Sequence, residues 1–198
     1  VQFRIGILGG SFDPIHLAHL EAARIARDKL DLDFVYLVPA GNPYHRDHVV
    51  ASTEARLAMC ELAAQGHDWL KVSKVDTDRI GNTYTIDTIS DLAGEFTRDF
   101  PNDSVEWFLI LGADAYKNFP QWKQPEEITK NVSIVVVSRP GEDNQELELF
   151  PCHFIDVPGW EISSTQVRLA AKNNETFDEL VPTSVSEYIK TNKLYANQ

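Results

Sequence analysis

Two segments of this 198-residue chain carry residue types suited to holding phosphate. The first is Gly9-Gly10-Ser11-Phe12-Asp13-Pro14-Ile15-His16-Leu17-Ala18-His19. Paired glycines after an apolar run let backbone approach an anion, and a helix that follows offers unpaired N–H groups. His16 and His19 stand three apart, so they share one face if that helix begins near Ile15. The segment is neither a Walker A loop nor the spaced-glycine dinucleotide fingerprint. On residue types alone it is a phosphate site or a plain strand-to-helix turn. The second segment is Ile162-Ser163-Ser164-Thr165-Gln166-Val167-Arg168. Its hydroxyls suit a helix cap, and with Arg168 one turn in they also suit a polyphosphate. Zinc on His16 and His19 would need Asp13, His45 or His48 as further ligands, and no other ligand pair has helical metal spacing. Metal is therefore the lesser expectation. His67 and His153 read as ordinary residues, and Cys60 and Cys152 as reduced, inert thiols.

These segments need elements to hold them, and strand-like and helical runs alternate along the whole chain. Strands are expected at Phe3–Leu8, Phe34–Val38, Leu70–Val75, Val105–Leu111, Val132–Ser138 and Phe154–Val157. Helices are expected at Leu17–Leu30, Ser52–Ala64, Thr85–Phe96, Pro125–Lys130, Ser163–Lys172 and Ser184–Thr191. Near-continuous apolar strands alternating with helices imply an α/β fold, a doubly wound, mostly parallel sheet in one domain over residues 1–198. Ligands of such sheets sit beyond the carboxyl ends of the strands. The positions to watch are therefore Gly9–His19, Pro39–Arg46, Gly112–Asp114, Arg139 and the stretch before Ser163. Gly141–Glu148, acidic and turn-rich, reads as a mobile surface loop.

Composition narrows the partners. The formal charge of −12 disfavours wrapping nucleic acid, which requires clustered Lys and Arg. Apolar residues are 43% with no run of membrane-span length, so no membrane is expected. The first strand reaches Gly9-Gly10 too soon for a signal peptide, and a cytoplasmic location is the expectation.

Taken together in this order, GGSFDPIHLAH and ISSTQVR resemble the two halves of the ATP site in the HxGH-type nucleotidyltransferase superfamily, whose fold is Rossmann-like. Further matches point to its nicotinate-nucleotide adenylyltransferase family. They are Pro39–Pro43 with His45-Arg46, Thr83–Thr88, Gly112–Asp114, Phe119–Trp122, Ser138–Gly141 and Tyr188-Ile189 with Leu194-Tyr195. The resemblance covers essentially the whole chain. It implies that Gly9, Gly10, Ser11, Phe12, Gly112 and Asp114 face ATP, and that His16 and His19 meet its phosphates. Ser163, Ser164, Thr165 and Arg168 would take the β and γ groups. Ser11, Asn42, Arg46, Tyr84, Thr85, Asp114, Trp122 and Arg139 would form the mononucleotide pocket, with Trp122 stacked on the pyridine ring. As residue types alone, Tyr84 and Trp122 could equally be core aromatics, Asn42 a turn residue and Arg46 a solvated loop charge.

The implied reaction is attack of the mononucleotide 5′-phosphate on the α-phosphorus of ATP, with pyrophosphate leaving. His16, His19 and Arg168 are the expected charge stabilisers, and Mg²⁺ is expected mainly on the ATP phosphates. ATP and nicotinate mononucleotide are the implied substrates; the oligomeric state is open, a homo-oligomer included. One departure from the family pattern is Ala18, where the family has Gly between the histidines. The alternatives are a sister enzyme transferring adenylyl to phosphopantetheine or nicotinamide mononucleotide, or cytidylyl to an alcohol phosphate, a non-catalytic nucleotide-binding protein of the same fold, and a metal-dependent hydrolase. For an acid-reading pocket, the sequence suggests unpaired N–H groups in Asn118–Lys123, with a Thr85 hydroxyl beside them.

Overall fold

The computed structural model describes residues 1–42, 49–139, 145–158 and 161–196. Its sheet has six strands: β1 (Gln2–Gly10), β2 (Phe34–Pro39), β3 (Leu70–Val72), β4 (Ser104–Gly112), β5 (Val132–Ser138) and β6 (Cys152–Asp156). They lie in the order β3-β2-β1-β4-β5-β6 and every neighbouring pair is parallel. The strand residues explain this. Along β4, Trp107, Leu109 and Leu111 are buried on one face while Phe108 and Ile110 are buried on the other. A strand apolar on both faces must be covered on both, which parallel crossovers achieve.

Four helices cover one face: α1 (Leu17–Leu30), α2 (Thr53–Ala64), α6 (Ser164–Lys172) and α7 (Thr183–Thr191). Ala23, Met59, Val167 and Val185 are their buried contacts. The opposite face is covered by α3 (Thr85–Asp99), α4 (Ala113–Asn118) and α5 (Pro125–Asn131), through Leu92, Tyr116 and Ile128. No helix among the described residues is long and apolar enough to cross a membrane.

Two local readings change. Helix α4 and the 3₁₀ turn Phe119–Gln121 were not foreseen, because so short a segment shows no apolar stripe. The anchor is tertiary: the buried Tyr116 hydroxyl donates to the Phe150 carbonyl at 2.7 Å. The third strand pairs only over Leu70–Val72; Ser73 N–H still reaches the Leu37 carbonyl at 2.9 Å. Helix α1 runs over the expected Leu17–Leu30, with an extended His16 just ahead of it as its N-cap. Of the acidic loop at 141–148, residues 141–144 lie outside the described residues.

From β1 the chain builds β2 and β3 on one side, then crosses over to β4 on the other. The connection reverses between β1 and β4. A crevice opens there, beyond the carboxyl ends of the strands.

Candidate active site

A cavity of about 700 Å³ occupies this crevice. Gly9, Gly10 and Ser11 at the end of β1 face Gly112 at the end of β4 across it. A Cβ on Gly10 would stand 3.1 Å from the Phe12 ring, so the aromatic folds back over bare backbone. Phe12 is buried and holds a left-handed φ of 46°, uncommon for a bulky residue and typical of a chain shaped around a ligand. Its ring meets His19 edge-on, and the His16 and His19 rings stack with centroids 3.6 Å apart.

The two histidines differ in chemistry. His19 Nδ1 accepts the His16 backbone N–H at 3.2 Å, so neutral His19 carries its proton on Nε2 as a donor. His16 is only 6% exposed, and its Nδ1 has no hydrogen-bond partner among the described residues. Burial lowers its pKa to about 4, leaving a neutral ring at pH 7.

The second motif docks on the first. Ser163 N-caps α6, exchanging bonds with Gln166. Ser164 Oγ donates to the Pro14 carbonyl at 2.8 Å, and Arg168 Nη1 donates to the Asp13 carbonyl at 2.8 Å. Of the four residues expected around the β and γ phosphates, Ser164 alone lines the large cavity. Thr165 and Arg168 line a neighbouring depression of about 190 Å³ together with Lys172 and Tyr195. Ser163 is on the wall of neither.

Asp13 holds this junction together. Its carboxylate is 2% exposed and accepts from Val50 N (2.7 Å), Ala51 N (3.0 Å) and the Tyr195 hydroxyl (2.8 Å). Burial and the Asp13 charge both push the Tyr195 phenol up, keeping it a donor. With its lone pairs so engaged, Asp13 serves the fold rather than a zinc ion. No cluster of three or more potential metal ligands occurs among the described residues.

At the other end of the cavity stand Thr85, the first residue of α3, Asp114 in the first turn of α4, Trp122 and Arg139. Trp122 lies half-buried with its ring 5.2 Å from that of Phe119. Asn42 and Tyr84 are not on this wall. Asn42 is exposed and donates to Asn82 at 3.2 Å; Tyr84 N-caps α3 under Lys123 Nζ, 4.4 Å from its ring centroid. Arg46, with His45 and His48, lies outside the described residues. The N–H groups of Asn118–Lys123 are less available than expected. Phe119 N–H bonds Tyr116 O, Trp122 N–H bonds Phe119 O, and Pro120 has none.

Several residues escaped the sequence reading. Asp76 lines the cavity, as do Thr83 and Thr88 of the family-matching segment Thr83–Thr88, and Thr88 Oγ1 donates to Asp76 at 2.7 Å. Burial pushes the Asp76 carboxyl up, against that bond and the charge of Arg79. Glu21 and Lys117 also reach the wall. Arg56, 1% exposed, is the largest surprise, reading in sequence as one more helix charge. A signal existed: position 56 falls on the stripe with Met59, Cys60 and Ala63, all buried.

The cytidylyltransferase-like family model matches residues 7–170. The chain is 37% identical to a "Probable nicotinate-nucleotide adenylyltransferase" of Dictyoglomus turgidum, over 98% of this chain and 97% of the relative. A relative of the same name from Corynebacterium kroppenstedtii is 39% identical, over 97% of this chain and 90% of its own length. In fold, the chain is similar to the nicotinic acid mononucleotide adenylyltransferase of Plasmodium falciparum complexed with NaAD. The TM-score is 0.71 at 19% identity, covering 99% of this chain and 98% of the other.

Proposed function

The chain belongs to the cytidylyltransferase-like family, among its nicotinate-nucleotide adenylyltransferases, and we propose that it joins the adenylyl group of ATP to nicotinate mononucleotide, giving nicotinate adenine dinucleotide and pyrophosphate. One observation carries this reading: the GGSFDP turn and the ISSTQVR helix meet through Ser164–Pro14 and Arg168–Asp13 at the mouth of a switch-point cavity. The cavity's far end has a helix start and an indole, suited to a charged aromatic ring.

A 5′-phosphate oxygen of the mononucleotide attacks the α-phosphorus, and the bond from that phosphorus to the bridging oxygen breaks, releasing pyrophosphate. Neither covalent intermediate nor proton transfer is required. The protein's work is to align two polyanions and to stabilise charge on the departing group. His19 donates through Nε2. Arg168 presents a guanidinium whose orientation is fixed by Asp13 and Thr165. His16, kept neutral by burial, meets the phosphates as a hydrogen-bonding imidazole rather than as a cation. Mg²⁺ would fit this donor set as an ion held chiefly by phosphate oxygens, with the exposed Asp114 as one of the carboxylates on the cavity wall beside Glu21 and Asp76. When bound it neutralises charge on the phosphates. The composition and the two free cysteines support a cytoplasmic setting for this work.

Acid is read in preference to amide. The fifteen-residue α3 starts at Thr85 on the cavity wall, where the helix dipole favours an anion, although the Asp87 N–H is taken by the Tyr84 carbonyl at 2.9 Å. Each charge-assisted hydrogen bond lost with the amide costs about 1.5–3 kcal/mol, a preference of roughly 10- to 150-fold. The test is kcat/KM with ATP and nicotinate mononucleotide, nicotinamide mononucleotide or phosphopantetheine at equal ionic strength. Equal values for the two pyridine nucleotides would favour the dual-specificity enzyme, and no pyrophosphate with any of them would favour a nucleotide-binding protein without catalysis.

A further inference from the structure

We propose that Arg56 is a positioning residue that fixes the ATP-side turn and the mononucleotide-side loop at one separation, without touching either substrate. Its guanidinium comes from α2, behind the residues that line the cavity. Nη1 donates to the Ser11 carbonyl at 2.8 Å and to the Ala40 carbonyl at 2.7 Å. Nη2 donates to the Gly41 carbonyl at 3.1 Å and to Thr53 Oγ1 at 3.2 Å. One planar fork thus ties the residue after Gly9-Gly10 to the residues that follow β2. Ser11 and Ala40 both line the reaction cavity, and Arg56 does not.

Stability alone does not account for this choice of residue. Burial disfavours the charged form of Arg56, the nearby charge of Asp13 only partly opposes that, and Nε is buried without a hydrogen-bond partner among the described residues. No carboxylate within salt-bridge distance pairs with Arg56 among the described residues. Neutral donors would satisfy three backbone carbonyls at a smaller desolvation cost. A rigid fork with several donors in one plane instead sets three carbonyls at fixed relative positions, which a flexible Lys does not.

The loop is gripped from its other side as well. A Cβ on Gly41 would lie 2.1 Å from the Asp76 carbonyl oxygen, so only glycine permits this approach. Thr83 donates both its N–H and its hydroxyl to the Asn42 carbonyl at 3.4 Å. The start of the mononucleotide loop is therefore seated between Arg56 below and the 76–83 segment above. In-line displacement between two bound anions is acutely sensitive to their separation, and a displacement of about 1 Å can cost on the order of 10²-fold in rate.

The inference rests on the adenylyl-transfer reading, and the experiment separates them. Arg56→Met, Arg56→Lys and, as a control on the same helix, the buried Met59→Ala are compared with the unaltered protein well below their melting temperatures. Measured are kcat with both substrates saturating, the KM of each, and the Kd of a non-hydrolysable ATP analogue. Arg56→Met is expected to lose roughly 10²-fold in kcat while analogue Kd changes less than about threefold, with partial recovery in Arg56→Lys. Met59→Ala, although destabilised, is expected to keep kcat within about twofold. If Arg56→Met does not fold, Gly41→Ala displaces the same loop from the opposite side and must show the same loss of kcat at unchanged analogue Kd. An unaltered protein that releases no pyrophosphate sinks the underlying reading. Wild-type turnover with kcat preserved in a folded Arg56→Met, or in Gly41→Ala where Arg56→Met fails to fold, overturns the positioning role. So does an equal loss in Met59→Ala.

Discussion

Replacing His16 by Asn should remove a pH-dependent instability that the wild-type protein carries. Asn keeps a good N-cap for α1 but does not titrate. The His16 pKa falls from 6.5 to about 4 on folding because the ring is buried, 6% exposed, with Nδ1 unpartnered among the described residues. A base with a depressed folded pKa binds its proton more readily when unfolded. Stability from keeping it neutral is therefore present above pH 6.5 and is lost as pH falls toward 4. One pKa unit corresponds to about 1.4 kcal/mol, so the loss is about 2 kcal/mol by pH 5 and about 3 kcal/mol near pH 4. Urea unfolding of both proteins from pH 8 to pH 5 gives the difference curve, in which the other titrating groups cancel. The wild-type protein should lose stability faster by an amount approaching one proton's slope below pH 6. Parallel curves would show that His16 stays protonatable when folded, and the neutral ring in the mechanism would have to be abandoned.

Two further outcomes follow from the same geometry. Arg168→Ala and His19→Ala should each lower turnover by roughly 10²–10³, the usual effect of losing one preorganised donor, with far smaller changes in melting temperature. Near-normal turnover in both would remove them from the chemistry. Ala18, half-buried on the cavity wall in the first turn of α1, should prove an adapted residue. Ala18→Gly is expected to leave the KM for ATP unchanged while costing up to about 1 kcal/mol of helix stability, and several-fold tighter ATP would show that the methyl crowds the nucleotide.

Much of the fold was legible in local chemistry. The apolar run Val132–Ser138 and the helix Leu17–Leu30 agree with the structure to the residue, because each is specified by its own periodicity and punctuation. Ser52 and Ser163 advertised their helices as caps, and both side chains accept the expected backbone N–H. Two motifs of unusual composition marked the turn after β1 and the start of α6, which the fold brings together. These signals are short-range, set by neighbours within a turn or a strand.

Tertiary structure decided the rest, since it depends on which distant groups meet. The strand order that creates the crevice between β1 and β4 is a matter of crossovers. Ser164 differs from Ser163 and Thr165 only in the face α6 turns toward the Asp13–Pro14 turn, 150 residues away in sequence from Ser164 to Pro14. Tyr195 becomes a partner of Asp13 across 182 residues. The N–H groups of Phe119 and Trp122 are consumed by the end of α4 and the 3₁₀ turn after it, which the buried Tyr116 and Phe119 hold in place. Arg56 is the extreme case. Its helix was legible, but carbonyls 45, 16 and 15 residues away turn an ordinary cation into the link between two loops. A residue's type fixes what it can donate or accept; only the folded chain determines what stands within reach.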